Sequence, residues 1–287
     1  MRGEGTVAFV VPVEEELVPY RGLVDGLARV EACRPWEAYE GRVGGRRVVL
    51  VLSDCGPANA GAATERVLRE FAPGLVLHGG AAGAHDPSLL PGDFVVGARY
   101  AILFPPEAQR RIEVNGRLVF RKGIRFRKDG ARVHLPEART TPFLLRLAVR
   151  AARRLAPEFG EWAAPGWPGG VPRREARVVA GLVGSTDVWT SDPARIAGLR
   201  ALYGARCEDM ESAWVAQVCA LHDVPFLAVR VISNADAACR LGDADAPEAI
   251  AAAGRRAAAV LVAVARELRG TGAGGQRTSG GRSQPGV

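Results

Sequence analysis

Lysine is almost absent from this chain, with two residues in 287, so a formal charge of +7 rests almost wholly on arginine. Those arginines are dispersed except between Arg110 and Arg132, and no aromatic residues alternate with them at a stacking interval. That distribution reads as solvated surface charge and not as a nucleic-acid footprint. Cysteine is sparse and odd in number: Cys33, Cys55, Cys207, Cys219 and Cys239 form no CxxC pair, and several sit in apolar runs as small hydrophobes. A disulfide framework and a zinc site are thereby disfavoured, and a reducing compartment is favoured. The four histidines show no ligand spacing, so neither a metal nor another cofactor is expected. No apolar run approaches the ~20 residues that span a bilayer. The run Val7 to Val13 is too short for a secretory signal and meets three glutamates at once. The expectation is a soluble, cytoplasmic protein.

What is present is alternation. Val7 to Val11, Val48 to Leu52, Leu75 to Leu77, Phe94 to Val96, Val178 to Val183 and Phe226 to Ile232 read as buried strands. Ala58 to Phe71, Pro142 to Leu155, Pro193 to Tyr203, Ser212 to His222 and Pro247 to Leu268 read as helices. Asp192 before Pro193 is a start signal, a side-chain acceptor followed by a residue whose missing N–H costs nothing there. Such alternation predicts an α/β fold with helices on both faces of a largely parallel sheet, and ligands gather at the carboxyl ends of its strands. A hydrophobic content of 48%, spread evenly, suits one domain over residues 1–269. The last residues, 270–287, have almost nothing to bury and predict disorder. Phe104 to Arg139 is polar and arginine-rich, with Asn115-Gly116 and Asp129-Gly130 each able to close a hairpin. Gly160 to Pro172, rich in Gly, Pro and Trp, reads as a surface loop.

Glu211, in Cys207-Glu208-Asp209-Met210-Glu211-Ser212-Ala213, is the residue hardest to explain by packing. It stands at the mouth of an apolar helix, where a carboxylate either caps exposed N–H groups or grips the neighbouring hydroxyls of a sugar. Three further segments, each after an apolar strand, favour the sugar: Pro12-Val13-Glu14-Glu15-Glu16, His78-Gly79-Gly80-Ala81-Ala82-Gly83-Ala84 and Arg230-Val231-Ile232-Ser233-Asn234. In order and spacing the four together resemble the methylthioadenosine/S-adenosylhomocysteine nucleosidase branch of the nucleoside phosphorylase superfamily. The resemblance runs from about Val7 to Leu268 and is weakest between Phe104 and Pro142.

That resemblance implies a three-layer α/β/α fold with a mixed, largely parallel sheet, a homodimer, and hydrolysis of the N-glycosidic bond of a 5′-modified purine nucleoside. Cleavage passes through an oxocarbenium-like sugar, which calls for a placed nucleophile, a stabilised cation and an eased leaving base. Glu16 matches the glutamate that deprotonates the attacking water, while Glu14 and Glu15 read as solvated charge or helix N-terminal charge. Arg230 matches an arginine that helps hold that water, or else is an interior arginine paired with a carboxylate. The glycine-rich turn Gly79 to Ala84, with Ala81 and Gly83, brings backbone close to the sugar; the family's serine there is Ala81 in this chain. Met210 and Glu211 match the pair that covers the ribose and holds its 2′ and 3′ hydroxyls. Trp189 falls where an aromatic ring meets the purine face, or is a core tryptophan, and backbone groups of Thr190 are expected at the base edge.

One position departs from the pattern. Adenine-cleaving nucleosidases carry an aspartic acid at the place of Asn234, which follows Ser233. An amide cannot supply a proton, but its NH2 can bond N7 and meet an acceptor at position 6. That favours a 6-oxopurine, and futalosine hydrolases look similar in carrying Ser-Asn there. Asp236 is the alternative acid. Phosphorolysis needs cationic or N–H donors converging on phosphate, and the acidic triplet opposes it. A non-catalytic relative, like plant storage proteins of similar fold, would be consistent with Ala81 and Asn234. Against it, Glu16, Met210, Glu211 and Arg230 all remain. The 5′ group is left open: Val13 and Gly242 to Asp245 match the family's pocket poorly. The arginine-rich insertion either reaches a partner's pocket to meet an anion or, the reading preferred, is a solvated hairpin.

Overall fold

The computed structural model describes residues 3–104, 111–114, 117–120, 123–235 and 246–268. Its sheet strands, numbered along the chain, are β1 (Gly3–Val11), β2 (Asp25–Val30), β3 (Ala38–Val43), β4 (Arg46–Leu52), β5 (Pro73–Ala84) and β6 (Phe94–Ile102). Two small antiparallel hairpins follow, β7 (Arg111–Val114) with β8 (Arg117–Phe120) and β9 (Ile124–Lys128) with β10 (Ala131–Leu135). The sheet is completed by β11 (Ala138–Arg139), β12 (Val178–Ser185), β13 (Ala205–Asp209) and β14 (Phe226–Asn234). The helices are α1 (Glu14–Leu17), α2 (Pro57–Phe71), α3 (Pro142–Leu155), α4 (Pro193–Tyr203), α5 (Ser212–Leu221) and α6 (Pro247–Glu267).

The apolar runs become strands because both of their faces are buried. In β1, Val7, Phe9 and Val11 point into one core while Ala8 and Val10 point into the other. Val48 and Leu50 of β4 likewise oppose Val49 and Val51, so period-two alternation places apolar residues on both sides. Helices α3 and α6 cover the first face, and α2 and α5 the second. The architecture is therefore three-layered α/β/α around a mixed sheet, as expected. Its left half runs β5-β1-β4-β3-β2, parallel as far as β4 and antiparallel beyond. Its right half closes on itself: β5 pairs with β14, β14 with β6, β6 with β12, β12 with β13, and β13 returns to β5. The site lies where this ring meets the end of β1.

Helix starts follow local chemistry. Proline occupies the first turn of α2, α3, α4 and α6, and Asp192 accepts from the N–H groups of Ala194 and Arg195 at 3.3 and 3.1 Å. Asp129-Gly130 does close a hairpin, both residues having positive φ, +48° and +79°. Asn115-Gly116 and the tail 270–287 lie outside the described residues.

Two expectations need correction. Gly79 to Ala84 is not a turn: β5 stays extended through Ala84, paired with β14 on one side and β13 on the other. The small residues there admit neighbouring side chains, not a change of direction. Gly160 to Pro172 is not merely a surface loop, since Trp162 within it is 1% exposed and donates its indole N–H to Pro165 O at 2.8 Å.

Candidate functional site

Glu16 follows β1 in the single turn α1, and packing fixes it from two sides. A Cβ on Gly254 of α6 would come within 2.8 Å of the Glu16 Cα, and one on Gly80 of β5 would collide with its carboxylate. The absence of those side chains is what lets a carboxyl group enter. Its Oε1 accepts the Ala81 N–H at 2.7 Å, whereas Oε2 has no hydrogen-bond partner among the described residues. Burial pushes the group up to about 8, against the lowering influence of Arg230 and the Ala81 N–H. A carboxyl with one oxygen anchored and the other unengaged is a proton acceptor tuned to near-neutral pH.

Arg230, near the middle of β14, is 1% exposed and acts as the hub of the charged cluster. Its Nε lies 2.7 Å from Asp209 Oδ2, a terminal nitrogen lies 3.6 Å from Glu211 Oε2, and the other donates to Ala81 O at 3.4 Å. It also bonds His78 Nε2, and His78 Nδ1 in turn lies 2.7 Å from Val10 O. The interior ion pair weighed for Arg230 therefore exists, with Asp209 as its partner. Burial opposes ionisation of Asp209, yet Arg230, His78 and the hydroxyls of Ser185 and Ser212 outweigh it and hold the carboxyl low. Burial, with the nearby Arg230 charge, pushes the His78 imidazole down to about 3.

The cluster also settles how α5 begins. Glu211 is the residue preceding the helix, but its side chain makes no cap bond. Asp209 Oδ1 instead accepts the N–H groups of Glu211 and Ser212, both at 3.1 Å, and Ser185 Oγ accepts that of Ala213 at 2.9 Å. Glu211 is released from capping and turns to the cavity. Its Oε1 takes the Gly56 N–H at 3.0 Å, and burial raises it to about 7 despite Arg230.

Glu16, Ala81, Trp189, Met210, Glu211, Arg230 and Ser233 line one cavity of about 140 Å³. Gly83, Thr190 and Asn234 are not among its lining residues, and Asn234 lies opposite Gly83 in the β14–β5 register. Thr190 gives its N–H to Glu208 Oε1 at 2.9 Å, so this donor is already engaged within the protein. Asn234 is 1% exposed, and the Ser233 hydroxyl donates to its Oδ1 at 3.3 Å. The loop misread as superficial braces this strand end: Gly166, at φ +93°, brings its α-carbon so close that a Cβ would lie 2.6 Å from Ser233 O. Asp236 and Gly242 to Asp245 lie outside the described residues.

Sequence reasoning gave no role to four lining residues: Pro12, Cys55, Asp209 and Ile250. Asp209 sat inside a motif already singled out, and Cys55 follows an apolar strand as the other motifs do. Ile250, in the first turn of α6, carries no local signal. Against the expectation of no metal site, His78, Asp209 and Glu211 bring ligand-type atoms within 4.8 Å of one another. The Arg230 guanidinium already engages all three groups, which makes it the fixed cation of that space.

The profile of the phosphorylase superfamily matches residues 6–266. A 5′-methylthioadenosine/S-adenosylhomocysteine nucleosidase of Treponema pallidum is 29% identical over 233 residues, covering 80% of this chain and 81% of that protein. Among solved structures, the nucleosidase of the same name from Neisseria meningitidis, in complex with methylthio-immucillin-A, superposes with a TM-score of 0.70 at 27% identity. It covers 92% of this chain and all of that one. The futalosine hydrolase of Helicobacter pylori shares the fold, with a TM-score of 0.67 at 18% identity over 92% of this chain and 99% of its own. A match over nearly every described element, on a chain whose strand ends converge on one buried charged cavity, leads to one conclusion: this chain belongs to the phosphorylase superfamily.

Proposed function

We propose that this protein hydrolyses the N-glycosidic bond of a purine nucleoside. The observation that carries the reading is Glu16, buried, anchored through Oε1 and unengaged at Oε2, beside a single arginine and facing a cavity bordered by Glu211 and Trp189. In this reading Oε2 takes a proton from water attacking the anomeric carbon, and the three carboxylates of Glu16, Asp209 and Glu211 favour the positive charge that builds on the sugar. Glu211, its Oε1 fixed by Gly56, holds the 2′ and 3′ hydroxyls through Oε2. Trp189 covers the base. The names of the Treponema and Neisseria relatives support hydrolysis of a 5′-modified nucleoside.

Phosphorolysis is disfavoured by the same charges. Among the described residues, the one guanidinium lining the cavity is already paired with Asp209 and faces Glu211, so an incoming phosphate would meet carboxylates. Two finer readings follow. Asn234 carries an amide, whose NH2 can donate to N7 and O6 of a purine, and its Oδ1 accepts the Ser233 hydroxyl at 3.3 Å; a donor at those two positions suits a 6-oxopurine. The protein works as a homodimer in the cytoplasm, where its free Cys33, Cys55, Cys207 and Cys219 remain reduced. No helix of the described residues is long and apolar enough to cross a membrane.

The test is a panel of 6-oxo and 6-amino purine nucleosides with neutral, thioether and carboxylate 5′ groups, assayed without phosphate. Release of free purine supports the reading. Purine binding without release would indicate a non-catalytic relative, and release only when phosphate is added would indicate a phosphorylase. Light scattering that finds an active monomer would reject the dimer.

A further inference from the structure

Glu208 precedes the charged cluster by one residue and takes no part in it. It is 2% exposed, a costly place for a carboxylate without partners. Its Oε1 accepts two hydrogen bonds, from Thr186 Oγ1 at 2.8 Å and from the Thr190 N–H at 2.9 Å. Those donors are the two ends of one five-residue segment. Between them Val188 is 74% exposed, while Trp189 turns inward to line the cavity. The second oxygen, Oε2, lies 3.1 Å from Nε2 of His85, itself 2% exposed, without being aligned as a hydrogen bond. The backbone of Glu208 is fixed from both sides by its pairing with Gly184 of β12 and Gly83 of β5. One rigid carboxylate thus closes the loop that presents the indole.

We infer that Glu208, backed by His85, is a positioning residue that holds the Thr186–Thr190 loop so that Trp189 meets the base. This inference rests on the purine-nucleosidase reading for its ligand. A side chain that orders a loop before binding removes part of the entropic cost of association, so its loss is felt in binding more than in the chemical step.

The experiment compares Glu208→Leu, which removes both acceptors, with Glu208→Gln, which keeps an Oε1 acceptor for Thr186 and Thr190. Three quantities are read: hydrogen exchange at the Thr190 amide, affinity for free purine by tryptophan fluorescence, and KM and kcat on the best nucleoside. In Glu208→Leu the Thr190 amide should exchange at least about tenfold faster, and purine Kd and KM should rise roughly tenfold, the scale of a lost hydrogen bond to a charged group. The kcat should stay within about threefold, and Glu208→Gln should stay within about threefold of wild type throughout. Unchanged exchange and purine affinity in Glu208→Leu, or a loss confined to kcat, would overturn the inference. Should Glu208→Leu not fold, Thr186→Val decides: it leaves Glu208 in place, removes one tie and should raise purine Kd about threefold or more, whereas wild-type affinity overturns the inference. A wild-type protein that cleaves no nucleoside defeats the functional reading alone, and the Thr190 exchange still judges the positioning.

Discussion

The two ends of the cavity are built in opposite ways. At the end proposed for the sugar, Glu16, Asp209, Glu211 and Arg230 are all nearly inaccessible, tied to each other and to backbone N–H groups. At the end proposed for the base, Trp189 is half-buried on a loop with an exposed Val188, and Asn234 is set by Ser233 and by the loop at Gly166. Charge that must be desolvated needs a scaffold that cannot relax, because an unpaired buried ion is far costlier than a missing apolar contact. A planar, mostly apolar base can be met by adjustable pieces. Chemistry should therefore be brittle at the first end and specificity adjustable at the second.

The largest expected effect breaks the sugar end outright. Arg230→Met leaves three buried carboxylates without their cation, and the native state should lose about 3–5 kcal/mol in urea or guanidinium unfolding. A loss below about 1 kcal/mol would mean that the cluster is not a rigid unit. Glu16→Gln separates chemistry from scaffold. The amide retains the volume and an acceptor for Ala81 N–H, so stability and purine affinity should hold while kcat falls by roughly 10² or more. Near-normal turnover would remove Glu16 from the reaction.

The base end should answer with specificity. Asn234→Asp restores an acid at N7 and an acceptor for an exocyclic amine, so the preference between paired 6-oxo and 6-amino nucleosides should reverse. The mismatch is worth about 1–3 kcal/mol, roughly 5- to 150-fold in kcat/KM. A wild-type preference of tenfold or more for the 6-amino member would contradict the asparagine reading. The gentlest probe is pH. Glu16 is active when ionised, and burial puts it at about 8, so kcat/KM should climb about tenfold per unit towards pH 8 and then level. Glu211, raised to about 7 and also needed as an anion, steepens the same limb below pH 7. A kcat/KM that falls between pH 6 and 8 would contradict the assignment of both groups.

The same contrast decides what could be read in the sequence. The strands β1, β4, β5, β6 and β14 are legible because burial on both faces writes an apolar run, interrupted in β14 by Arg230, and β12 shows a similar run although its first half is only partly buried. The edge strand β2 and its inner neighbour β3 are not, since their partly exposed residues mix charge with apolar side chains. Strand β13, Ala-Arg-Cys-Glu-Asp, hides its strand character because two of its buried positions, Glu208 and Asp209, are carboxylates satisfied only in three dimensions. Glu16, Glu211 and Arg230 announced themselves as charges beside apolar runs. Asp209 as the true cap of α5, Glu208 as the tie of the Trp189 loop and Gly166 as the brace of Asn234 depend on contacts between distant segments, which no local pattern encodes. Gly79 to Ala84 misled for a related reason: glycine signals a turn in isolation, but in β5 it signals a neighbour's side chain.

The most direct test of the central claim is the fate of solvent oxygen. Wild-type protein is given its best purine nucleoside in phosphate-free, ¹⁸O-enriched water, and the sugar product is analysed by mass spectrometry. The account predicts free sugar carrying ¹⁸O at the anomeric carbon, formed at a rate that added phosphate does not raise. A sugar 1-phosphate, or cleavage that appears only with phosphate, would contradict it.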